Sequence, residues 1–113
     1  MATLGPINQH TTALYTSSPM LDENGAVVGV SNLDAAYLTL LNLSNHRAVV
    51  NGRNAQNCLN ANGVTISAGG VITWVLDPAD SGEAGLMEAV FDIRWGTTKR
   101  MQHPVTYSVL EVP

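Results

Sequence analysis

The residue types that most often bind metals are present but scattered. The three histidines, His10, His46 and His103, each fall in a different predicted loop or in the N-terminal segment. A zinc site gathers three or four ligands, commonly as closely spaced pairs, and these histidines form no such pair with one another or with Cys58. We therefore expect surface or capping histidines and no metal site.

Two acidic clusters are candidates for a cation site. One covers residues 22–25, and the other holds Asp77, Asp80 and Glu83. The second lacks the alternating oxygen ligands and the terminal bidentate glutamate of an EF-hand loop. Aspartate side chains also stabilise turns by binding nearby backbone N–H groups, which explains both clusters without an ion. A turn is the expectation here, and calcium is the less favoured alternative.

Nucleophilic catalysis is not indicated either. Cys58 has no charged neighbour in the sequence that would lower its pKa, so we expect a buried structural thiol. Serine, histidine and carboxylate residues occur, but none lies in a recognisable nucleophile motif. The glycine-containing run 67–70 is too short for a phosphate loop and no helical pattern comes after it. The sequence therefore predicts a non-enzymatic protein without a cofactor.

The largest aromatic side chains offer binding chemistry of another kind. Trp74 shares its parity with Ile72 and Leu76, which predicts a core position. Trp95 ends a predicted strand, where a core position is favoured over partial exposure. We expect each buried indole N–H to find a carbonyl. If Trp95 and Tyr107 are exposed instead, they are candidates for an interface or for stacking on a sugar.

The element that best defines the fold is the segment 86–95. Its apolar residues Met87, Ala89, Phe91, Ile93 and Trp95 fall on one parity, and Glu88, Asp92 and Arg94 fall on the other. Side chains alternate across a strand, so this segment can bury one face and expose the other, as in an antiparallel sheet. A helical stripe through Leu86, Met87, Val90 and Phe91 is the weaker alternative.

Turn signals recur at short intervals along the rest of the chain, including three Asn-Gly dipeptides. A helix that begins in segment 33–41 is one alternative, but the residues of this segment fit an inner strand better. Many short strands with frequent turns predict an all-β fold, a single antiparallel β-sandwich. The predicted strands are residues 26–30, 37–43, 48–50, 55–61, 64–66, 71–76, 86–95 and 106–112.

The first 25 residues differ in pattern from the rest of the chain. They contain two prolines and isolated apolar residues without a sustained period. We expect residues 1–25 to form an extended arm, with at most a short strand near residues 13–16, and residues 26–113 to form the sandwich. The arm is expected to bind neighbouring subunits through Leu4, Ile7, Leu14, Tyr15 and Met20. Deleting residues 1–24 should then leave a folded domain. An arm folded back on its own domain is the alternative.

Composition narrows the range of partners. The 113 residues carry a net charge of −4, and only 12% of them are charged. Nucleic-acid binding needs a basic footprint that this chain lacks, and the doublet Lys99-Arg100 is expected in a solvated loop. No apolar run is long enough to span a bilayer, and the N-terminus has no signal-peptide pattern. A polar, weakly charged surface is cheap to desolvate, which suits contacts between subunits as well as a neutral monomer.

From residue 33 onward, the order of features resembles the immunoglobulin-like domains of tailed-bacteriophage virion proteins. It looks most like the N-terminal domain of siphophage baseplate upper proteins and related small virion proteins. The segments that carry the likeness are residues 34–45, 69–76, 77–85, 87–95 and 103–112. The resemblance implies an immunoglobulin-like sandwich and a role in a virion. The chain ends after its last predicted strand, without a receptor-binding or trimerising region, which favours a capsid or neck position.

The sequence thus predicts a non-enzymatic virion subunit that binds capsid, neck or tail proteins and is multimeric in the particle. A capsid decoration or cement protein, or a head–tail accessory subunit, is the leading hypothesis. A baseplate or tail-fibre-attachment subunit and a carbohydrate-binding sandwich module are the alternatives. We expect synthesis in the host cytoplasm, assembly into the virion, and neither nucleic-acid nor membrane partners.

Overall fold

The computed structural model describes residues 2–97 and 99–112. Met1, where the predicted arm begins, and Pro113, where the predicted sandwich ends, lie outside the described residues. All regular elements in this part of the chain are strands, and they form two sheets. The prediction of an all-β sandwich is confirmed. The strands are β1 (Ala2–Thr3), β2 (Ile7–Asn8), β3 (Ala13–Thr16), β4 (Ala35–Asn42), β5 (Ala48–Val49), β6 (Gln56–Asn57), β7 (Val64–Ile66), β8 (Ile72–Leu76), β9 (Gly85–Trp95) and β10 (Lys99–Leu110).

The larger sheet is built around β9. This strand pairs antiparallel with β4 on one side and with β10 on the other. The short strands β5 and β6 pair with β4 at the far edge. At the opposite edge, β1 and β2 pair in parallel with the second half of β10, at Val105–Thr106 and Val109–Leu110.

The smaller sheet has the order β3-β8-β7 and is antiparallel. Gly63 lets the chain turn tightly into β7 beside β8. Its φ is +92°, and a Cβ atom there would lie 2.6 Å from the Val75 carbonyl oxygen. A side chain at this position would therefore clash with the neighbouring backbone, and the positive φ would be strained as well.

The two sheets enclose one apolar core. On β9, Met87, Ala89, Phe91, Ile93 and Trp95 are all buried, so the predicted parity and the strand over 86–95 are confirmed. Trp74 lies in the middle of the core, as predicted, with T-shaped contacts to Phe91 and Tyr107. No described residue accepts a hydrogen bond from its indole N–H, contrary to our expectation of a carbonyl partner.

The structure corrects the predicted arm. Residues 2–25 are built into both sheets, because β1 and β2 extend the larger one and β3 forms an edge of the smaller one. Tyr15 and Met20 belong to the core cluster, and Leu4 and Ile7 pack against it. The single apolar residues of this segment therefore complete the core of their own domain, which is the alternative to a projecting arm.

Several strand boundaries also differ from the prediction. Residues 26–30 form only an isolated bridge between Val27 and Leu21, and segment 55–61 is paired as a strand only at Gln56–Asn57. The last strand begins at Lys99 rather than near Thr106. The Lys99-Arg100 doublet therefore lies in a strand, and the prediction of a solvated loop is wrong. Pairing with β9 overrides the weak strand propensity of these charged residues.

A buried ion pair fastens the turn after β8 to the segment after β5. The guanidinium of Arg53 donates to the Asp80 carboxylate through Nε at 3.0 Å and through Nη2 at 3.2 Å. The side chains are 5% and 0% exposed. Arg53 Nη1 also donates to Gln56 Oε1 and to Cys58 Sγ. The fork geometry of arginine thus lets one buried side chain bind three partners at once.

Cys58 and Asp80 have the structural roles that the sequence favours. Cys58 is a buried thiol, as expected, and burial raises its pKa above the ordinary value. The Asp80 carboxylate accepts from Arg53, from Asn51 and from the backbone N–H of Asp77. These bonds make it part of a turn. Within the described residues, no group of three potential ligands is placed to hold a metal ion.

Removing the first 24 residues should abolish the folded state. The deletion would strip away β3 and two core side chains, Tyr15 and Met20, and leave a cavity between the sheets. We expect a chain without a cooperative thermal transition by near-ultraviolet circular dichroism. Deleting only residues 1–6 is the control, since it removes β1 alone and should leave a cooperative transition. A cooperative transition in the longer deletion would restore the arm hypothesis.

Breaking the buried ion pair should be costly. Asp80→Ala removes the bidentate partner of the buried Arg53 guanidinium and leaves only the more distant Asp77, at 3.7 Å, as a counter-ion, and breaking a buried pair typically destabilises by about 3 to 5 kcal/mol. Urea unfolding at pH 7 measures the loss. Glu88→Gln is the matched control, because its ion pair with Arg47 is exposed and should contribute less than about 1 kcal/mol. Equal losses in the two variants would contradict this account.

Candidate binding surface

Two of the predicted binding residues are unavailable to a ligand. Trp95 is 5% exposed and Tyr107 is 2% exposed. The Trp95 indole donates to the Gly29 carbonyl at 2.8 Å, and the Tyr107 hydroxyl donates to the Asp80 carbonyl at 3.4 Å. Burial also raises the pKa of Tyr107. The prediction that these rings stack on a sugar is wrong, because both rings lie on the inner faces of their strands.

The five residues predicted to bind partners do not form one surface. Leu14 is exposed on the outer face of the smaller sheet, whereas Leu4 and Ile7 are half-buried beside the edge of β10. Tyr15 and Met20 are buried in the core, but both also line a groove at the side of the sandwich. Only this last pair is brought together as a candidate contact.

We call this depression the side groove. It lies between the edge of the smaller sheet and the first half of β10, and its volume is about 320 Å³. Its walls combine polar and apolar surface in about equal parts, with one exposed leucine at the rim, Leu21. The lining residues are Tyr15, Ser18, Pro19, Met20, Leu21, Met101, Gln102 and His103. The groove therefore offers a concave surface of mixed polarity between two sheet edges.

The edge of β10 beside the side groove has no strand paired to it in the described part of the chain. The N-terminal strands reach only as far back as Val105, so residues 99–104 pair with β9 alone. A strand pairs through alternate residues on each side, so an unpaired edge presents free N–H and C=O groups. The side groove is thus bordered by backbone groups that can accept another strand.

The floor of the side groove joins the two sheets through a polar contact. The hydroxyl of Tyr15 on β3 lies 2.7 Å from Nε2 of His103 on β10. Because His103 is half-buried, desolvation lowers the pKa of its imidazole. Burial likewise raises the pKa of Tyr15. Both shifts favour the neutral forms, and in that state the tyrosine hydroxyl can donate to the imidazole nitrogen.

One end of this edge carries charges of both signs. Arg94, Lys99 and Arg100 border a shallow depression of about 260 Å³. Asp92 accepts from both Arg94 at 2.9 Å and Arg100 at 3.0 Å, and Asp34 accepts from the N–H of Gly96 at 3.2 Å. The hydrogen bond from Arg94, together with the two positive charges, lowers the pKa of Asp92. Asp34 also interacts electrostatically with Arg94, and Asp22 with Lys99, so carboxylates balance the three cations here.

The outer face of the larger sheet carries a second groove of about 240 Å³, which we call the outer groove. Its lining includes Tyr37, Asp92, Arg94 and Gln102. The Arg94 guanidinium lies over the Tyr37 ring, 5.2 Å from its centre, which fixes both side chains. Arg94 Nε is buried and has no hydrogen-bond partner among the described residues. These groups can bind polar hydroxyl or carbonyl oxygens.

The outer face of the smaller sheet presents aliphatic and threonine side chains. Leu14 lies directly opposite Val75, and both are exposed. The neighbouring outward side chains are threonines, Thr16, Thr65 and Thr73. This uncharged face can be desolvated at low cost.

The sequence prediction missed the side groove for an identifiable reason. Met101, His103, Val105, Tyr107 and Val109 share one parity, a strand signal that begins well before Thr106. That pattern would have found the long β10. The groove itself depends on where β1 stops along β10, and two-residue strands leave no periodic signal. It could not have been found from the pattern alone.

Comparisons with known proteins add little. No family model matches the sequence, and no curated protein matches it. A solved family 123 glycoside hydrolase from Clostridium perfringens, studied for hydrolysis of glycolipid glycans, is similar at 13% identity and a TM-score of 0.40. The match covers 99% of this chain and 23% of that enzyme, so the chain spans about a quarter of its length. At this score the likeness carries no inference about fold or activity.

A search for membrane-spanning segments in the described residues finds no helix of sufficient length and apolarity.

Acidification should weaken the fold through His103. The pKa of this imidazole is lowered in the folded state, so the unfolded chain binds a proton more readily. Stability from this group is present above the ordinary pKa of about 6.5 and falls as the pH drops below it. We expect the free energy of unfolding to decline between pH 7 and pH 5. His103→Gln, which keeps an acceptor for Tyr15, should flatten this decline, and an unchanged slope would contradict the assignment.

Proposed function

We propose that this protein is a non-enzymatic structural subunit of a tailed-phage virion that binds other virion polypeptides. Within that role, a capsid decoration or cement protein, or a head–tail accessory subunit, is the form we favour. The observation that carries the proposal is the side groove, a concave surface of mixed polarity bordered by a strand edge that has no partner strand among the described residues. The resemblance of the sequence to virion immunoglobulin-like domains supplies the setting.

The side groove is small. A groove of about 320 Å³ with one strand edge accommodates only a few side chains, which is a small contact compared with a standard stable interface. Such a contact is weak for one molecule. The contact becomes effective when many copies bind a symmetric particle, because several weak contacts made at the same time increase the overall affinity. A small groove is therefore sufficient for the binding of a protein that decorates or clamps an assembled shell.

The low charge of the chain is consistent with this role. Only 12% of its residues are charged, and the outer face of the smaller sheet presents leucine, valine and threonines. That face offers a second neutral contact area opposite the larger sheet. We propose that neighbouring capsid, neck or tail subunits are the partners, and that the protein is made in the host cytoplasm before assembly. The proposal involves neither nucleic acid nor membrane as partner.

A carbohydrate-binding module is the second candidate, and the outer groove favours it. Tyr37, Asp92, Arg94 and Gln102 combine an aromatic ring with planar polar groups on an open sheet face. This arrangement replaces Trp95 and Tyr107 as the candidate sugar site. A glycan array probed with the protein and with Tyr37→Ala separates this candidate from the first. Binding that depends on Tyr37 supports it, and an array without signal removes it.

Presence in the particle tests the main proposal. Mass spectrometry of purified phage particles should detect the protein at a stoichiometric ratio to a major shell or tail protein. Absence from the particles would contradict the proposal. Cryo-electron microscopy of the same particles distinguishes capsid, neck and baseplate positions.

The contribution of the side groove can be measured on the same particles. Leu21→Glu places a charge at its rim and should weaken retention about tenfold, which corresponds to about 1.4 kcal/mol. Val49→Glu is the matched control. Val49 is 42% exposed against 51% for Leu21 and lies on β5, at the opposite edge of the larger sheet. Equal retention of the two variants would show that the groove is not the contact.

A further inference from the structure

We propose that Asn62 is a site of spontaneous deamidation in the folded protein, where its side-chain amide is converted to a carboxylate. The inference is independent of the proposed function. It starts from the three Asn-Gly dipeptides at residues 24–25, 51–52 and 62–63, which differ in how the fold holds the two reacting groups. Only at residues 62–63 are both groups free of hydrogen bonds to other described residues.

The reaction needs only the dipeptide and water. The backbone nitrogen of the glycine loses its proton to solvent and attacks Cγ of the asparagine, which forms a cyclic succinimide. The bond from Cγ to Nδ2 breaks, and that nitrogen takes up a proton and leaves as ammonia. Water then adds to either carbonyl of the ring and opens it, which leaves aspartate or isoaspartate. Glycine suits the reaction because it has no side chain to shield its nitrogen.

The backbone nitrogen of Gly63 is available for this attack. Asn62 and Gly63 form a tight turn in which the Val64 N–H donates to the Ala61 carbonyl at 3.3 Å. Both central residues have positive φ, +52° and +92°, as in the type I′ turns of hairpins. The Gly63 carbonyl accepts from Val75, whereas the Gly63 N–H has no acceptor among the described residues. No backbone hydrogen bond therefore has to break before this nitrogen reacts.

The side chain of Asn62 is equally free. The residue is exposed, and its amide has no hydrogen-bond partner in the part of the chain that the structure describes. The side chain can therefore rotate until Cγ approaches the Gly63 nitrogen. Two groups that are joined in one dipeptide react readily once they reach the attacking geometry.

At residues 51–52 the fold holds the side-chain amide. Nδ2 of Asn51 donates to Asp80 Oδ1 at 2.9 Å and to Asp77 Oδ1 at 3.5 Å. Rotation toward Gly52 would take a donor away from the buried Asp80 carboxylate, which is unfavourable. The two carboxylates also oppose loss of the Gly52 proton, because that loss creates another negative charge close to them. We therefore expect Asn51 to react slowly.

At residues 24–25 the fold holds the nucleophile instead. The Gly25 N–H donates to the Asp22 carbonyl at 3.0 Å. The Asp22 carboxylate accepts from the N–H groups of Asn24 and Ala26 at 2.9 and 3.0 Å, which stabilises the turn. Loss of the Gly25 proton would break the first of these bonds and add a negative charge near the carboxylate. Asn24 should therefore react more slowly than Asn62, although both are exposed.

Deamidation at Asn62 would change the character of one face. It adds a negative charge to a chain of net charge −4. The turn borders a depression of about 220 Å³ on the smaller sheet, whose lining residues, among them Gly63, Thr65 and Val75, are all uncharged. A carboxylate at this border makes the face more costly to desolvate. Isoaspartate also lengthens the backbone by one carbon beside Gly63, which already lies against the Val75 carbonyl.

The three sites can be compared in one sample. Trypsin cleaves after Arg47, Arg53 and Arg94, so each Asn-Gly dipeptide falls in a different peptide. The folded full-length protein is kept at mildly alkaline pH, and mass spectrometry follows the conversion of amide to carboxylate, with fragment spectra assigning the residue. We expect Asn62 to react at least about tenfold faster than Asn24 and Asn51, the effect of about one retained hydrogen bond. In urea, where the fold is lost, the three sites should react at similar rates.

Two variants test the structural explanation. Asn62→Gly keeps a sequence suited to a type I′ turn and removes the amide, so the conversion assigned to residue 62 should disappear. Asp22→Ala removes the carboxylate that stabilises the turn at Asn24. It should speed deamidation of Asn24 severalfold and leave the rate at Asn62 unchanged.

Three results would overturn the proposal. The first is a folded protein in which Asn62 stays unmodified while the urea sample reacts. The second is a folded protein in which Asn24 or Asn51 reacts as fast as Asn62. The third is an Asn24 rate that Asp22→Ala leaves unchanged, because the hydrogen bonds of the fold would then not control these reactions.

Discussion

The buried pair of Arg53 and Asp80 is the constraint on which the arrangement of this molecule depends. Two charges without access to water are stable only when both are paired and bonded. Asp80 meets this condition through Arg53, Asn51 and the backbone of Asp77, and its carbonyl accepts from Tyr107. The turn after β8 is therefore fixed against the large sheet on one side and the segment after β5 on the other. This turn is the anchor for the N-terminal segment.

The residues that follow Asp80 in the turn form hydrogen bonds with the N-terminal segment. Ser81 accepts from the backbone of His10 and exchanges two hydrogen bonds with Thr11, and Gln9 donates to the Gly82 carbonyl. These bonds hold the chain between β2 and β3 at one end of the sandwich. From that point β1 and β2 run back along β10 only as far as Val105. The buried ion pair thus fixes, through the turn, the position of the chain between β2 and β3.

The sequence predicts the features that depend on neighbouring residues. It does not predict the features that depend on strand pairing between distant parts of the chain. Parity within 86–95 and 71–76 is a local property, so the core faces of β8 and β9 could be predicted from the residues alone. The N-terminal segment has no such parity because two of its strands contain only two residues each. In the sequence, its isolated apolar residues are typical of an extended arm. Only long-range strand pairing shows that most of them pack in or against the core of the sandwich. Trp95 and Tyr107 fail as binding residues for the same reason, since their exposure depends on a second sheet.

An open strand edge is also a hazard, and the residues on it explain how the edge can stay open without pairing to a second copy. Proteins protect such edges with lysine, arginine and proline, which repel or interrupt a second copy of the same strand. Lys99, Arg100 and Pro104 occupy these positions here. Two copies meeting edge to edge would bring their lysine and arginine side chains together and would lack one N–H donor at each Pro104. These side chains therefore disfavour pairing of the edge with a second copy of the same strand.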